Sequence, residues 1–253
     1  MMFQSPGAIL IELGPLVIRW YGLLYAVGFL VALEVAAKYL CPPNITKDQL
    51  SNFFIGILLW GLVGARLWYV ILNADYYWMN PIEIPQIWLG GQSIQGGIIG
   101  GALGTWVFDR NNYLIKLSIA ATVVPLAQAI ARWGNFFNEE AYGSITNLPW
   151  GLYVSHSQQF HHPCFLYESI WNLISFVILL KSYDAKNPLK MIAKYLLFYS
   201  IGRLLIEQLR LDQILVMNGM MSAGTLMAIV GIIVGIGMII TQSASSHSRS
   251  LQN

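Results

Sequence analysis

Residues 51–72 read SNFFIGILLWGLVGARLWYVIL, a run in which Arg66 is the sole charge. A hydrocarbon core about 30 Å thick is crossed by roughly 20 mostly apolar residues, so this stretch predicts a membrane-spanning helix. Working outward, similar runs occupy 15–37, 93–108, 117–135, 163–180, 191–210 and 217–241. The expectation is an all-α integral membrane protein of about seven transmembrane helices. It forms one polytopic domain over 1–253, with a small external head in the loop 136–162 and a tail, 242–253, without fixed structure.

Composition agrees with that class. Of 253 residues, 56% are hydrophobic and 10% charged, against roughly 25% charged in a soluble domain. The first apolar run lacks a basic start and a small-residue cleavage site, so it is expected to remain as a helix and not to be removed as a signal peptide. Cys41 and Cys164 have no metal-ligand spacing, and no metal or cofactor is expected. Basic residues scattered over short joints give no footing for nucleic acid. Between 90 and 104 lie seven glycines, with Gly96, Gly100 and Gly104 four apart, the spacing of a small-residue face where two helix backbones approach.

Seven crossings divide the joints between two sides. One side carries Lys38, Lys47, Arg110, Lys116, Lys181, Lys186, Lys190 and Arg249, with Lys194 just inside the next helix. The joints 1–14, 73–92, 136–162 and 211–216 carry neither lysine nor arginine. By the positive-inside rule the N-terminus and the head are expected to be external and the tail cytoplasmic.

Arg19, Arg66, Arg132, Arg203 and Arg210 remain, all expected within spans and in the outer half of the membrane. A buried arginine there costs at least about 2.5 kcal/mol on insertion scales, so the group needs a reason. Internal pairing accounts for part of it. Arg203, Glu207 and Arg210 share a helical face, and Arg132 has Glu139, Glu140 or Glu168 within reach; Arg66 and Arg210 are the best candidates for purely structural roles. The sharper expectation is an anion site, because guanidinium forks match phosphate oxygens. Tyr21, Tyr25, Asn135, Asn138, His162, Tyr167 and Glu168 fall in the same layer.

Residues 132–143 read RWGNFFNEEAYG. This closely resembles the signature of the prolipoprotein diacylglyceryl transferase family, with Ala131 where a glycine usually precedes the arginine. Ile18-Arg19-Trp20-Tyr21-Gly22, Gly64-Ala65-Arg66 with Trp68-Tyr69, His162-Pro163 with Leu166-Tyr167-Glu168, and Arg203 with Glu207 and Arg210 resemble further motifs of that family. One departure stands in 90–97, where many members carry a histidine at the position of Gln95. Glutamine takes no proton at neutral pH, so a base role for that histidine does not transfer.

The resemblance implies transfer of the diacylglyceryl group of phosphatidylglycerol to the lipobox cysteine of a prolipoprotein, with glycerol phosphate released. The partners it implies are that lipid, the lipobox peptide and the surrounding membrane lipids. Because the substrate supplies the sulfur, no enzyme nucleophile is needed. The expected catalytic group is Arg132, Arg203, Glu140 and Tyr21. Arg132, Asn135, Gly143, Arg203, Glu207 and Tyr167 are expected to bind substrate, with His162 and Gln95 at the position of a base or its support. For Glu140 the alternatives are a base and a simple ion pair with Arg132; for His162, a base and a cap on the helix after Pro163. The arginine field is expected to lower the pKa of the attacking thiol. The competing class is a membrane transporter or channel for a small anion, disfavoured by the absence of an internal repeat and of midplane charge. A third is a lipid-binding scaffold without catalysis.

Overall fold

A computed structural model describes residues 3–14, 16–216 and 219–250. Its helices are α1 (Trp20–Val35), continued by a π-helical turn Ala36–Leu40, α2 (Lys47–Leu72), α3 (Ala74–Met79), α4 (Ile94–Phe108), α5 (Tyr113–Asn138), α6 (Cys164–Lys181), α7 (Pro188–Glu207) and α8 (Ala223–Ser250). Among the described residues, five helical stretches are long and apolar enough to cross a membrane: Trp20–Leu40, Lys47–Leu72, Tyr113–Asn138, Cys164–Lys181 and Ala223–Gln242. The expected third and sixth spans do form helices. However, α4 has only 15 residues, and α7 carries Lys190, Lys194, Arg203 and Glu207. Of the tail 242–253, residues up to Ser250 continue α8, while 251–253 lie outside the described residues.

The chain divides into two compact units, 37–117 and the remainder. In the first of these α2 packs on α4, and the glycine stripe explains how. A Cβ on Gly64 would strike the backbone of Gly96 and Gly100, and one on Gly104 would strike the Trp60 ring, so the helices meet backbone to backbone. A capping box starts α2: the Thr46 hydroxyl accepts from the Gln49 backbone N–H at 3.1 Å, and the Gln49 side chain accepts from the Thr46 N–H at 3.0 Å. Arg66, 5% exposed, donates to the carbonyls of Glu83 (2.5 Å), Ile84 (2.8 Å), Gly90 (2.7 Å) and Gly91 (3.0 Å), and so ties down the joint between α2 and α4. Lys116 is buried and tied to Asp109 at 2.6 Å.

In the other unit α5 is the central element. Gly28 of α1 meets the Ala127 backbone of α5, and Gly134 of α5 lies under the Tyr21 ring. On α6, the Ser169 hydroxyl donates to the Ala129 carbonyl of α5 at 2.8 Å. The Trp171 indole donates to the Phe198 carbonyl of α7 at 2.8 Å, with Gly202 making room for the ring. Gly231 and Gly235 bring α8 against Ser200 and Leu197 of α7.

Small sheets, unforeseen from the sequence, complete this unit: β1 (Phe3–Gln4), β2 (Ile9–Leu13), β3 (Leu16–Arg19), β4 (Leu152–Val154), β5 (Gln159–His161), β6 (Leu215–Val216) and β7 (Met221–Ser222). Strands of two to five residues are too short for alternation to register. In the loop 136–162, β4 is flanked by parallel β1 and antiparallel β5. Their core is Phe136, Leu152, Val154 and Phe165, with Phe3 and Trp133 packed on it.

Candidate active site

α5, α6 and α7 bring three of the five arginines to one carboxylate. Glu168, buried near the start of α6, pairs with Arg132 of α5 (Nε to Oε2, 2.7 Å), Arg203 of α7 (3.2 Å) and Arg210 just beyond α7 (3.3 Å). Of the three glutamates open to Arg132 from the sequence, Glu168 is therefore the partner. Arg203 also pairs with Glu207 at 2.7 Å across one helical turn. The Glu207 carboxylate is held in turn by the Ser222 hydroxyl at 2.7 Å, beside Gly224 at the start of α8. A helix N-terminus favours that negative charge.

Arg210 and Arg19 differ from expectation. Because α7 ends at Glu207, Arg210 lies in the joint to α8, and Arg19 ends β3 before α1, so the joints expected to lack arginine are not free of it. Arg210 forms a two-pronged pair with Asp212 at 2.9 and 2.6 Å. Burial works against both charges, yet the pairing overrides it. The Asp212 carboxyl stays below its ordinary range, and Arg210 holds its proton more firmly than usual. Arg66 belongs to the 37–117 unit and serves carbonyls, as its structural role required.

Asn135 extends the cluster toward the loop 136–162. Its side-chain oxygen accepts from Arg132 at 3.4 Å and its amide nitrogen donates to Glu140 at 2.9 Å. Asn138 donates to the same Glu140 oxygen at 3.2 Å. No direct Arg132–Glu140 pair occurs among the described residues, so the simple ion-pair alternative for Glu140 gives way to contact through Asn135. Glu139 instead accepts from the backbone N–H and hydroxyl of Ser155, at 2.9 and 2.8 Å, inside the head. Tyr21 donates to Tyr25 at 3.0 Å and lies within electrostatic reach of Arg132 and Glu140.

His162 does not cap α6. Its Nδ1 meets the Tyr167 hydroxyl at 3.2 Å, and that hydroxyl accepts from the Trp150 indole at 3.1 Å. Gly143 is tightly packed: a Cβ there would sit 2.8 Å from both the His162 Cβ and the Leu209 carbonyl. Its N–H donates to the His162 carbonyl at 2.9 Å. Gln95 lies in the 37–117 unit, its amide oxygen accepting from the Ser93 hydroxyl. Asp212 and Ser222 were not singled out from the sequence, and Asn138 was named there only as one of the polar layer. Asn138 lies within the 132–143 motif; Ser222 lies on another element and gives no local signal.

Chemically, the arrangement leaves guanidinium donors that an anion could take. Among the described residues, ion pairs and hydrogen bonds use two of the five N–H donors on Arg132 and on Arg203. Both side chains remain partly open, at 25% and 20% exposed. No group of histidine, cysteine and carboxylate suited to a metal occurs among the described residues.

Comparison with known proteins places the chain in a family. A family model described as prolipoprotein diacylglyceryl transferase matches residues 8–241. Curated relatives carry the name phosphatidylglycerol–prolipoprotein diacylglyceryl transferase. That of Trichormus variabilis is 39% identical over 93% of this chain and 89% of its own. That of Clostridium novyi is 40% identical over 95% and 98%, and that of Parasynechococcus marenigrum 40% over 85% and 84%. With a match across nearly its whole length and three arginines gathered on Glu168, the chain belongs to the prolipoprotein diacylglyceryl transferase family.

Proposed function

We propose that this chain transfers the sn-1,2-diacylglyceryl group of phosphatidylglycerol to the lipobox cysteine of a prolipoprotein. The carrying observation is the convergence of Arg132, Arg203 and Arg210 on Glu168, which holds open guanidinium donors on a rigid frame. The thiol sulfur attacks the glyceryl carbon bearing the phosphodiester. A C–S bond forms, the C–O bond breaks, and its electron pair leaves on the phosphate of glycerol phosphate. The proton shed by the thiol balances the charge gained by that phosphate. Arg132 and Arg203 hold the phosphate oxygens as charge builds on them, with Asn135 and Tyr21 beside them. Fixed donors act most strongly where bulk water is excluded. Glu207 holds Arg203, Tyr167 lines the approach with His162, and Gly143 keeps the head close to α6.

The protein crosses the inner membrane seven times, counting α4 and α7, with its N-terminus outside and its C-terminus in the cytoplasm. The support is the charge asymmetry: nine lysines and arginines on the inner joints and adjoining helix ends, against Arg19 and Arg210 on the outer ones. The loop 136–162 is then a periplasmic head that covers the site and contacts the precursor peptide. Phosphatidylglycerol enters sideways from the bilayer.

The test supplies purified protein in phosphatidylglycerol vesicles with a peptide carrying a lipobox cysteine. Glycerol phosphate should appear together with a thioether-linked lipid on the peptide. Arg203→Ala should cut turnover about 10²- to 10³-fold, the scale of one lost charge-stabilising donor, in a protein that still inserts and folds. Near-normal turnover removes Arg203 from the reaction.

A further inference from the structure

Asn135 sits, 8% exposed, between a cation and an anion. A side-chain amide in that place has one good orientation. Its oxygen must face the Arg132 guanidinium, which only donates, and its nitrogen must face the Glu140 carboxylate, which only accepts. Turned over, the amide sets oxygen against oxygen and N–H against N–H. Glu140 is what breaks the tie, because Arg132 alone leaves the amide nitrogen without an acceptor of fixed position.

The backbone is bent to put Glu140 there. Its N–H donates to the Asn135 carbonyl at 3.0 Å, folding the chain back over the end of α5. The residues on either side, Glu139 and Ala141, both adopt left-handed conformations, with φ of 51° and 55°. Non-glycine residues in that region store strain that the surroundings must overcome, and such strain gathers at functional sites. Asn138 adds a second amide to the Glu140 oxygen that Asn135 uses. The charged and titratable groups facing this pair are Tyr21 from α1, Arg132 from α5 and, behind Arg132, Glu168 from α6 with Arg203 and Arg210. Glu139 is already committed to Ser155.

We propose that Glu140 is a positioning residue: it locks the Asn135 amide with its oxygen toward Arg132, so that Arg132 presents its remaining donors to the lipid phosphate, and it does not take the thiol's proton. The proposal rests on the phosphate-holding role of Arg132.

A swap of chemistry between the two positions tests it. Asn135→Asp sets two carboxylates face to face, and Glu140→Gln removes the anion that orients the amide. Each single variant should lower turnover about tenfold or more, the scale of one misdirected buried hydrogen bond. The double variant restores the pattern: the carboxylate now at position 135 faces Arg132 with one oxygen and accepts from the amide now at position 140 with the other, while the Asn138 amide turns over so that its oxygen accepts from that same nitrogen. Its turnover should return to within about threefold of the parent, as a coupled pair requires. A double variant no faster than Glu140→Gln overturns the proposal and returns Glu140 to the role of base.

A pH profile gives a second readout, useful if Glu140→Gln does not fold. Two facing carboxylates raise the proton affinity of one of them, so Asn135→Asp should gain activity as pH falls toward the ordinary carboxylate range, about 4 to 5. If Glu140 is the base, acid protonates it and activity falls further, which overturns the proposal. A parent protein that modifies no peptide sinks the transfer reading instead. Unfolding midpoints on the same four proteins still score the swap in that event, with recovery in the double variant expected and none overturning the lock.

Discussion

Glu168→Gln is the sharpest perturbation of the site, because it removes one charge and keeps the shape. The new amide has one oxygen and one nitrogen where the carboxylate had two acceptors. Its oxygen does most good facing Arg203 and Arg210, which leaves its nitrogen pointing at the Arg132 Nε formerly 2.7 Å from Oε2. The close Arg132–Glu168 ion contact is lost, worth about 1.5–3 kcal/mol, and the two hydrogen bonds from Arg203 and Arg210 fall to neutral-acceptor strength, losing roughly half their value each. The sum, about 3–6 kcal/mol, spans the usual cost of breaking a buried ion pair from one side, about 3–5 kcal/mol. Side-chain exposures of 25%, 20% and 10% for the three arginines leave little room for water to screen the loss. Thermal unfolding in detergent should show the midpoint falling by about 10 °C, at roughly 2–4 °C per kcal/mol for a chain of this size. Turnover in vesicles should fall in parallel, because Arg132 has lost its anchor. A midpoint within about 2 °C of the parent, with normal turnover, would refute the central place given to Glu168.

Two further outcomes follow from the pairing pattern. Arg66→Ala strands four carbonyls between Glu83 and Gly91; hydrogen exchange and limited proteolysis should show 83–91 opening, and unchanged protection there would refute the tie. Asp212→Asn should cost under about 1 kcal/mol at neutral pH, because that carboxylate is half exposed. The Asp212 carboxyl is held below its ordinary value by Arg210, so its contribution is complete above that ordinary value and vanishes as pH falls through the lowered one. The gap in midpoint between parent and variant should therefore close in strong acid, and a gap that widens there would contradict the pairing.

What the sequence made legible depended on range. Helices announce themselves within a window, so the runs around α2, α5, α6 and α8 were plain, and so was the glycine face of α4, whose spacing is local. The arginine group was legible as a cost needing a reason, but not as a geometry. Glu139, Glu140 and Glu168 were equal candidates for Arg132, and the choice among them lies in tertiary structure. The left-handed turns at Glu139 and Ala141 send Glu140 back to Asn135 and leave Glu139 to Ser155. Nothing in those residue types demands positive φ, so the bend was invisible. Ser222 meets Glu207 only because α7 and α8 are packed together, and no pattern near Ser222 points across that gap. The sheets of the head escaped for a different reason: strands so short carry no period.

The pairing also changes what the arginines do. Arg132, Arg203 and Arg210 are matched by Glu168, Glu207 and Asp212, so the cluster carries no excess charge before a lipid arrives. A net positive field, the means expected for lowering the thiol pKa, is therefore not available from the count of charges. What remains is direction. Guanidinium groups already fixed by carboxylates keep further N–H donors aimed outward, and donors that need not reorganise stabilise charge as it forms. Neutrality has its own use in a bilayer, where an unpaired buried arginine is costly and a paired one is tolerated. An apo site built this way is stable without its lipid. On the function proposed above, recognition of a phosphodiester rests on the placement of donors around the phosphate oxygens, and that placement is what Glu168 on one side of Arg132 and Asn135 with Glu140 on the other would maintain.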